Sequence, residues 1–447
     1  MKQCGLAAII VLALAGAWAM AADMAAGTGA AGADKSAGTA PSAAAPAAAA
    51  EPARTFPIQT VWEADKKLFA EIRKRIVENA ALKPLVLAES DESYFWTMGE
   101  RVDQLMDAYN YSGDEALVET FVPLMEQILS QRYTHPTEPK VWSGWWHYQM
   151  PDAKEAAYYT LAHGAVLYYT PALKFVMAVR ADAKLKAKYG EKAEQWFKDI
   201  TEVEIPAWDK RGCWHDLGEK GGWYGRTTQY PDVIGDLKER KDLYQGASYP
   251  YSSVQPFMRS LALAYRLAGG SWYRIRMDKC ERWFRAHWRT NATHAEWNYG
   301  DFAGPWDYQN GRDGPTKTAY LVHPKGEYYV TDVAAAVDCY DVGVCFTRTD
   351  IERLVQTNLE FMWLGDVRDP KFKHINGTFD AHGKYGKGFL WTPLGHFDPK
   401  ARQLWKVLVE RERGTYGWEA LALGYLLETA RPVSWEPRYK EEIPVRR

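Results

Sequence analysis

The stretch Val254-Gln255-Pro256-Phe257-Met258-Arg259-Ser260-Leu261-Ala262-Leu263-Ala264-Tyr265-Arg266-Leu267-Ala268-Gly269 places Val254, Phe257, Met258, Leu261, Leu263, Ala264 and Tyr265 at helical spacing and stops at a glycine. An earlier stretch reads the same way. Tyr94, Phe95, Met98, Val102, Leu105, Met106 and Tyr109 form a stripe, and Ala108-Tyr109-Asn110-Tyr111-Ser112-Gly113 matches Ala264-Tyr265-Arg266-Leu267-Ala268-Gly269 in layout. Each turn is followed by another helical pattern, which predicts repeated antiparallel helical hairpins.

Further helical spacing covers about 61–79, 115–131, 155–181, 185–204, 272–288, 350–363, 399–411 and 416–429. Thr347 and Asp350 have the spacing of a helix-start capping box. Alternating strand patterns are scarce, so the chain reads as all-α. Its compact solutions are a ring of hairpins around a cleft or an open solenoid. Long irregular segments at 206–247, 292–330 and 365–397 favour the ring, because they are liabilities unless they build walls around a functional mouth.

The N-terminus carries Lys2, an apolar run from Leu6 to Ala19, and Ala19 and Ala21 flanking Met20, the pattern of a secretory signal peptide over residues 1–21. Residues 22–54 are Ala-rich with Gly, Ser, Thr and Pro, a composition expected to form a disordered linker. Residues 55–447 contain no second linker of this kind, which points to one large domain. An exported protein, periplasmic or secreted, is expected, with no membrane span after the signal.

Lys and Arg total 55 against 57 Asp and Glu, with no basic block of the kind that grips nucleic acid. After the signal, Cys213, Cys280, Cys339 and Cys345 remain; two disulfides in any of three pairings, or buried free thiols, are open. No CxxC pair is present, and neither metal nor cofactor is expected. The P-loop, the dinucleotide glycine fingerprint and the GxSxG elbow are also missing.

Between Arg289 and Asp332 the sequence crowds His294, Glu296, Trp297, Asn298, Tyr299, Asp301, Trp306, Asp307, His323, Glu327, Tyr328, Tyr329 and Asp332 among glycines and prolines. Flat rings offer stacking faces for sugars, and His, Tyr and carboxylates supply proton donors and acceptors. The mixture reads as a carbohydrate cleft with acid/base chemistry.

Four motifs carry a family resemblance: His163-Gly164; Tyr249-Pro250-Tyr251-Ser252-Ser253-Val254-Gln255-Pro256-Phe257; Glu296-Trp297-Asn298-Tyr299; and His323-Pro324-Lys325-Gly326-Glu327-Tyr328-Tyr329-Val330-Thr331-Asp332. Together, across about residues 90–365, they resemble the all-helical toroid polysaccharide lyases that act on polyuronates, such as the alginate and glucuronan lyases of polysaccharide lyase family thirty-eight. The Asn-Asn-His-Ser-Tyr-Trp signature of another toroidal alginate lyase family is absent. The resemblance implies an (α/α) toroid, an incomplete barrel of six or seven hairpins, that cuts an anionic polysaccharide by metal-independent β-elimination.

Such a reaction removes the proton at C5 of a uronate, next to its carboxylate, so that carboxylate must be neutralised while a base takes the proton and an acid protonates the departing O4. Tyr299 is the expected acid/base and Asn298 the neutraliser. His323 is the expected partner base or clamp, and the resemblance implies that His163 lies on an inner helix aimed at the substrate. Tyr251 and Gln255, four apart, share a helix face and are expected to grip sugar hydroxyls. Arg226 and Arg289 are clamp candidates. Glu296, Trp297, Tyr328 and Tyr329 are expected to line the groove, and Trp142, Trp145 and Trp146, with His147 and Tyr148, to offer a second aromatic patch.

Two rival functions share these residues. A glycoside hydrolase on the same ring needs two carboxylates facing across the bond, drawn from Asp216, Glu296, Asp301, Asp307 and Asp332. A noncatalytic glycan-binding protein would use the 20 Trp and 27 Tyr for stacking alone.

Overall fold

The computed structural model describes residues 63–80, 92–145, 147–148, 157–158, 160–227, 246–311, 314–317, 326–378 and 389–444. The expected signal peptide and linker lie outside these residues.

Thirteen α-helices occur among the described residues: α1 Glu63–Ala80, α2 Glu92–Ser112, α3 Glu115–Ser130, α4 Leu161–Gly164, α5 Thr170–Ala181, α6 Ala183–Lys198, α7 Ile205–Lys210, α8 Tyr251–Ala268, α9 Ser271–Ala286, α10 Glu327–Asp341, α11 Arg348–Gln356, α12 Pro399–Arg411 and α13 Trp418–Thr429. Strands are limited to four antiparallel ladders of two or three residues each. The scarcity read from the sequence therefore holds.

Helix contacts trace a closed circuit. α2 packs on α5, α5 on α8, α8 on α10, α10 on the short 3-10 segment Thr392–His396, that segment on α13, and α13 on α2. Outer helices back this circuit, with α3 against α2, α6 against α5, α9 against α8, α11 against α10 and α12 against α13. The result is an all-α toroid of antiparallel pairs rather than an open solenoid. Because each inner helix follows an outer one, the inner helices run the same way. The described parts of the segments that lead into α4, α8, α10 and the Thr392–His396 turn therefore lie at one end.

The core lies between the two rings. Phe121 of α3, Phe175 of α5 and Trp196 of α6 meet at ring centroids 5.0–6.2 Å apart. Each such ring, fully buried, stabilises the fold by ~1.5–3 kcal/mol.

The two matched turns have the same geometry. Gly113 and Gly269 take φ of 69° and 63°, and their amides donate to Tyr109 O and Tyr265 O, both at 2.7 Å. These are left-handed C-terminal caps, which glycine adopts without steric penalty. The Thr347–Asp350 capping box also forms, with Asp350 N donating to Thr347 Oγ1 at 3.3 Å and Thr347 N to Asp350 Oδ2 at 2.8 Å.

Gly269 is further constrained by the C-terminal segment, since a Cβ there would lie 2.1 Å from Pro444 O. We expect Gly269→Ala to destabilise the protein by ~1–3 kcal/mol through backbone strain alone. A lowered Tm by far-ultraviolet circular dichroism is the readout; an unchanged Tm would contradict this account of the cap.

Three departures from the sequence reading have physical causes. First, α10 has no counterpart among the helical patterns read from the sequence, and its first four residues fall in the segment 292–330 read as irregular. Its Val333, Ala334, Ala335, Ala336 and Val337 are all buried, so an inner helix enclosed on all sides loses the polar face that marks a helix in sequence. Second, the pattern at 185–204 is α-helical only to Lys198 and then widens into a π-helical turn, Asp199–Glu204. The pattern at 350–363 behaves likewise, with a π turn at Thr357–Met362, where Thr357 Oγ1 donates to Arg353 O at 2.7 Å and Asn358 takes up loop partners. Third, the helix expected from 155 begins at Leu161 and passes through a π turn, Ala165–Tyr169, into α5.

Candidate active site at the ring mouth

The segment 289–301 crosses the mouth of the ring and ties several expected site residues into one network. Tyr251, the first residue of α8, donates its hydroxyl to Asp301 Oδ2 at 2.8 Å, and its amide donates to Tyr299 O at 3.0 Å. Asn298 Nδ2 donates to Asp301 Oδ1 at 2.9 Å. Arg289 then donates from Nη1 to Asn298 Oδ1 at 3.1 Å and from Nε to Glu296 Oε1 at 3.0 Å. A chain of polar side chains thus runs from buried Tyr251 out to Arg289, whose side chain is 47% exposed. Beside it Tyr299 and Tyr328, both half-buried, face each other at 5.4 Å.

Burial, then the charge of Asp301, pushes the Tyr251 phenol well above its ordinary range. Tyr251 is therefore a standing hydrogen-bond donor to Asp301 rather than a base.

Other expected site residues sit elsewhere. Trp297 is 0% exposed and packs against Phe284, Trp288, Tyr329 and Trp391, so it is the floor of the cleft and offers no free face to a sugar. Tyr329 is also buried, with its hydroxyl turned to Trp297 O at 3.5 Å. Gln255 lies between helices and donates to Glu281 Oε2 at 3.5 Å. Arg226 is buried with its guanidinium 5.5 Å from the centre of the Tyr249 ring. His163 is buried between Phe95 and Trp96, and its Nδ1 accepts from Thr160 N at 3.3 Å as part of a capping box. Trp142 and Trp145 are buried as well, with Trp145 Nε1 donating to Ile128 O at 2.7 Å. His323 and Trp146 lie outside the described residues, as do the side chains of His147, Tyr148 and Glu327.

The five carboxylates named for hydrolysis separate by environment. Asp307 is fully buried and accepts from Ser248 N, Ser248 Oγ, Ala303 N and Gly304 N, which makes it a loop organiser. Asp216 is held by Lys279 on the outer side. Asp332 is buried beneath Trp297, whose Nε1 donates to it at 2.9 Å. Only Glu296 and Asp301 belong to the half-exposed network. The cysteines Cys213, Cys280, Cys339 and Cys345 are all free thiols.

Sequence reading missed a charged belt inside the ring. Lys174 of α5 bonds Asp103 at 2.9 Å and Asp107 at 2.7 Å on α2, and Arg259 of α8 bonds Asp338 of α10 at 2.7 Å. Glu100, Asp103 and Asp107 border a cavity of about 100 Å³ together with α13. Glu100 is exposed to solvent at the edge of this cavity; desolvation by the surrounding protein first and the Asp103 charge next push its carboxyl up to about 7. The spacing of Glu100, Asp103 and Asp107 on one helix face was the available signal.

The fold and its mouth define a helical toroid with a polar network at the ends of its inner helices. No protein-family model matches the chain, and no curated protein sequence matches it. Among solved structures, the chain is similar to the GH76A α-1,6-mannanase from Salegentibacter sp. HEL1_6, at 12% identity over 81% of this chain and 98% of that one, with a TM-score of 0.45. It is similar to inactive variants of the same mannanase in complex with α-1,6-mannotetrose and α-1,6-mannotriose, at TM-scores of 0.44 and 0.43 and the same identity and coverage. These proteins are named as mannanases, not as polyuronate lyases. The ring described above rests on the helix contacts of this chain. No described helix is long and apolar enough to cross a membrane.

Proposed function

We propose that the protein is an exported enzyme that cleaves a polysaccharide at the mouth of the ring. The observation that carries this reading is the Tyr251–Asp301–Asn298–Arg289–Glu296 network beside the Tyr299–Tyr328 pair. It sets a cation, an amide, two carboxylates and two phenols along one part-exposed surface.

Two chemistries fit, each on its own feature. β-Elimination on a uronate polymer is favoured by Arg289, whose Nη2 has no hydrogen bond among the described residues and is free to pair with a substrate carboxylate. Tyr299 then exchanges the protons at C5 and O4, with His323 as the proposed partner. Asn298 acts by orienting Arg289, because both ends of its amide are already engaged. Hydrolysis is favoured by Glu296 and Asp301, the two carboxylates that meet on this surface, with one as acid and the other as base or nucleophile. The solved mannanases are consistent in kind with a polymer substrate but do not select between these chemistries.

One assay separates the outcomes. Purified protein is incubated with alginate, glucuronan and neutral glycans including a mannan, while new reducing ends and the ultraviolet absorbance of unsaturated uronate are followed together. Both signals rising on an acidic polymer is elimination; reducing ends alone is hydrolysis. If neither rises on any polymer while calorimetry detects oligosaccharide binding, the enzyme reading fails and the protein is a glycan binder.

A further inference from the structure

Beneath the cleft floor three helices bring together Gln255 of α8, Glu281 of α9 and Asp332 of α10, at 0%, 0% and 2% exposure. Each leaves one oxygen without a hydrogen-bond partner: Gln255 Oε1, Glu281 Oε1 and Asp332 Oδ1. The remaining oxygens are used, Glu281 Oε2 by Gln255 Nε2 at 3.5 Å and Asp332 Oδ2 by Trp297 Nε1 at 2.9 Å. No Lys, Arg or His pairs with either carboxyl among the described residues, and Asp332 lies within electrostatic reach of Glu281.

An uncompensated buried carboxylate pair is very costly, and three orphaned acceptors call for donors. Protons supply both needs, since a protonated carboxyl becomes a donor and loses its charge. We propose that Glu281 and Asp332 are held as a proton-bearing carboxyl pair under the cleft, and that Asp332 in this form is a positioning residue that acts through Trp297 on the site above. The second half of this inference rests on the polysaccharide-cleaving reading; the first half does not.

Burial pushes both carboxyls up to about 8. The groups facing the pair stay protonated throughout the relevant range. Burial raises Tyr251 on α8, Cys280 on α9 and Cys339 on α10 well above their ordinary values, and raises Cys345 in the following turn to about 12. The charged groups further out, Asp301 and Arg289 near Tyr251, Arg276 and Asp209 near Cys280, Asp338 near Cys339, and Arg285, Asp278 and Asp350 near Cys345, shift neither carboxyl of the pair. The link to the site is short: Trp297 precedes Asn298 in the chain, and its carbonyl accepts from Tyr329 Oη at 3.5 Å.

Unfolded Asp and Glu titrate near ~3.9 and ~4.3, so the folded state holds these protons more tightly. The stability they contribute is full below those values and is lost as pH rises through about 8.

The test uses the full-length protein. Near-ultraviolet circular dichroism should show an alkaline transition with midpoint near 8, and infrared difference spectra should show a protonated-carboxyl band that disappears with it. The isosteric double variant E281Q/D332N should lose both signals, and the alkaline limb of its kcat profile should move to higher pH. Asp332→Ala removes the acceptor of Trp297 and should lower kcat by up to ~10²-fold with KM little changed. A wild type with no carboxyl band, a transition that survives in the double variant, or one equivalent of tightly held calcium that E281Q releases would each overturn the pair. The spectra need no substrate. A protein that shows them but cleaves nothing therefore refutes the enzymatic reading alone, and an active protein without them refutes this inference alone.

Discussion

Tyr299→Phe is expected to lower turnover by ~10²–10⁴-fold while leaving the fold intact, if the cut is an elimination. Only the phenolic oxygen is lost, while the ring remains against Tyr328 and the backbone carbonyl still accepts from Tyr251 N. Asp301→Asn should have a smaller effect in that case, because Asn retains one acceptor for the Tyr251 hydroxyl. Hydrolysis predicts the reverse order. Asp301→Asn and Glu296→Gln would then each abolish turnover, and Tyr299→Phe would be nearly silent. Initial rates for the three variants, with circular dichroism as the folding control, decide between the two chemistries. If all three keep wild-type rates, the network at the mouth is not the reaction site.

The largest expected loss of stability lies far from that network. Arg132 donates to Asp199 Oδ2 at 2.5 Å and to Glu204 Oε1 at 3.0 Å, and Glu204 is 0% exposed. Ser143 Oγ and Tyr169 Oη add hydrogen bonds to Glu204 at 2.5 and 3.1 Å, and Tyr168 Oη donates to Asp199 at 2.9 Å. The cluster thereby fastens the π turn at Asp199–Glu204 to the π turn at Ala165–Tyr169. Arg132→Ala strips the cation from a buried carboxylate and should cost ~3–5 kcal/mol, whereas Arg132→Met combined with Glu204→Gln removes the buried pair, leaves only the part-exposed Asp199 without its cation, and should recover part of it. Chemical denaturation of the single and double variants measures this. Strictly additive losses would show that the pair is not coupled.

These two expectations differ in how far they could be read from the chain. The polar network of segment 289–301 was legible because its Arg, Glu, Asn, Tyr and Asp lie within thirteen positions and one loop gathers them. The Arg132 cluster was not, since its members lie 67 and 72 residues apart and meet only when α3 and α6 pack. Burial was also hidden. Trp297, Asn298 and Tyr299 are consecutive, yet Trp297 turns inward to Asp332 while Asn298 joins the exposed network. The polar character that suggested sugar contacts for Gln255, Arg226 and His163 served buried partners instead.

The sequence alone determined what depends on neighbours within a turn or two: the helical pairs, the glycine caps at Gly113 and Gly269, the capping box at Thr347, and the scarcity of strand among the described residues. Those features follow from local sterics and hydrogen bonding, which a residue and its near neighbours set. Tertiary structure decided the closure of the ring through α13 on α2, the identity of α10 as a helix, and which polar groups face water. Each of those is a matter of which surfaces are removed from solvent, and that is fixed only when distant segments pack together.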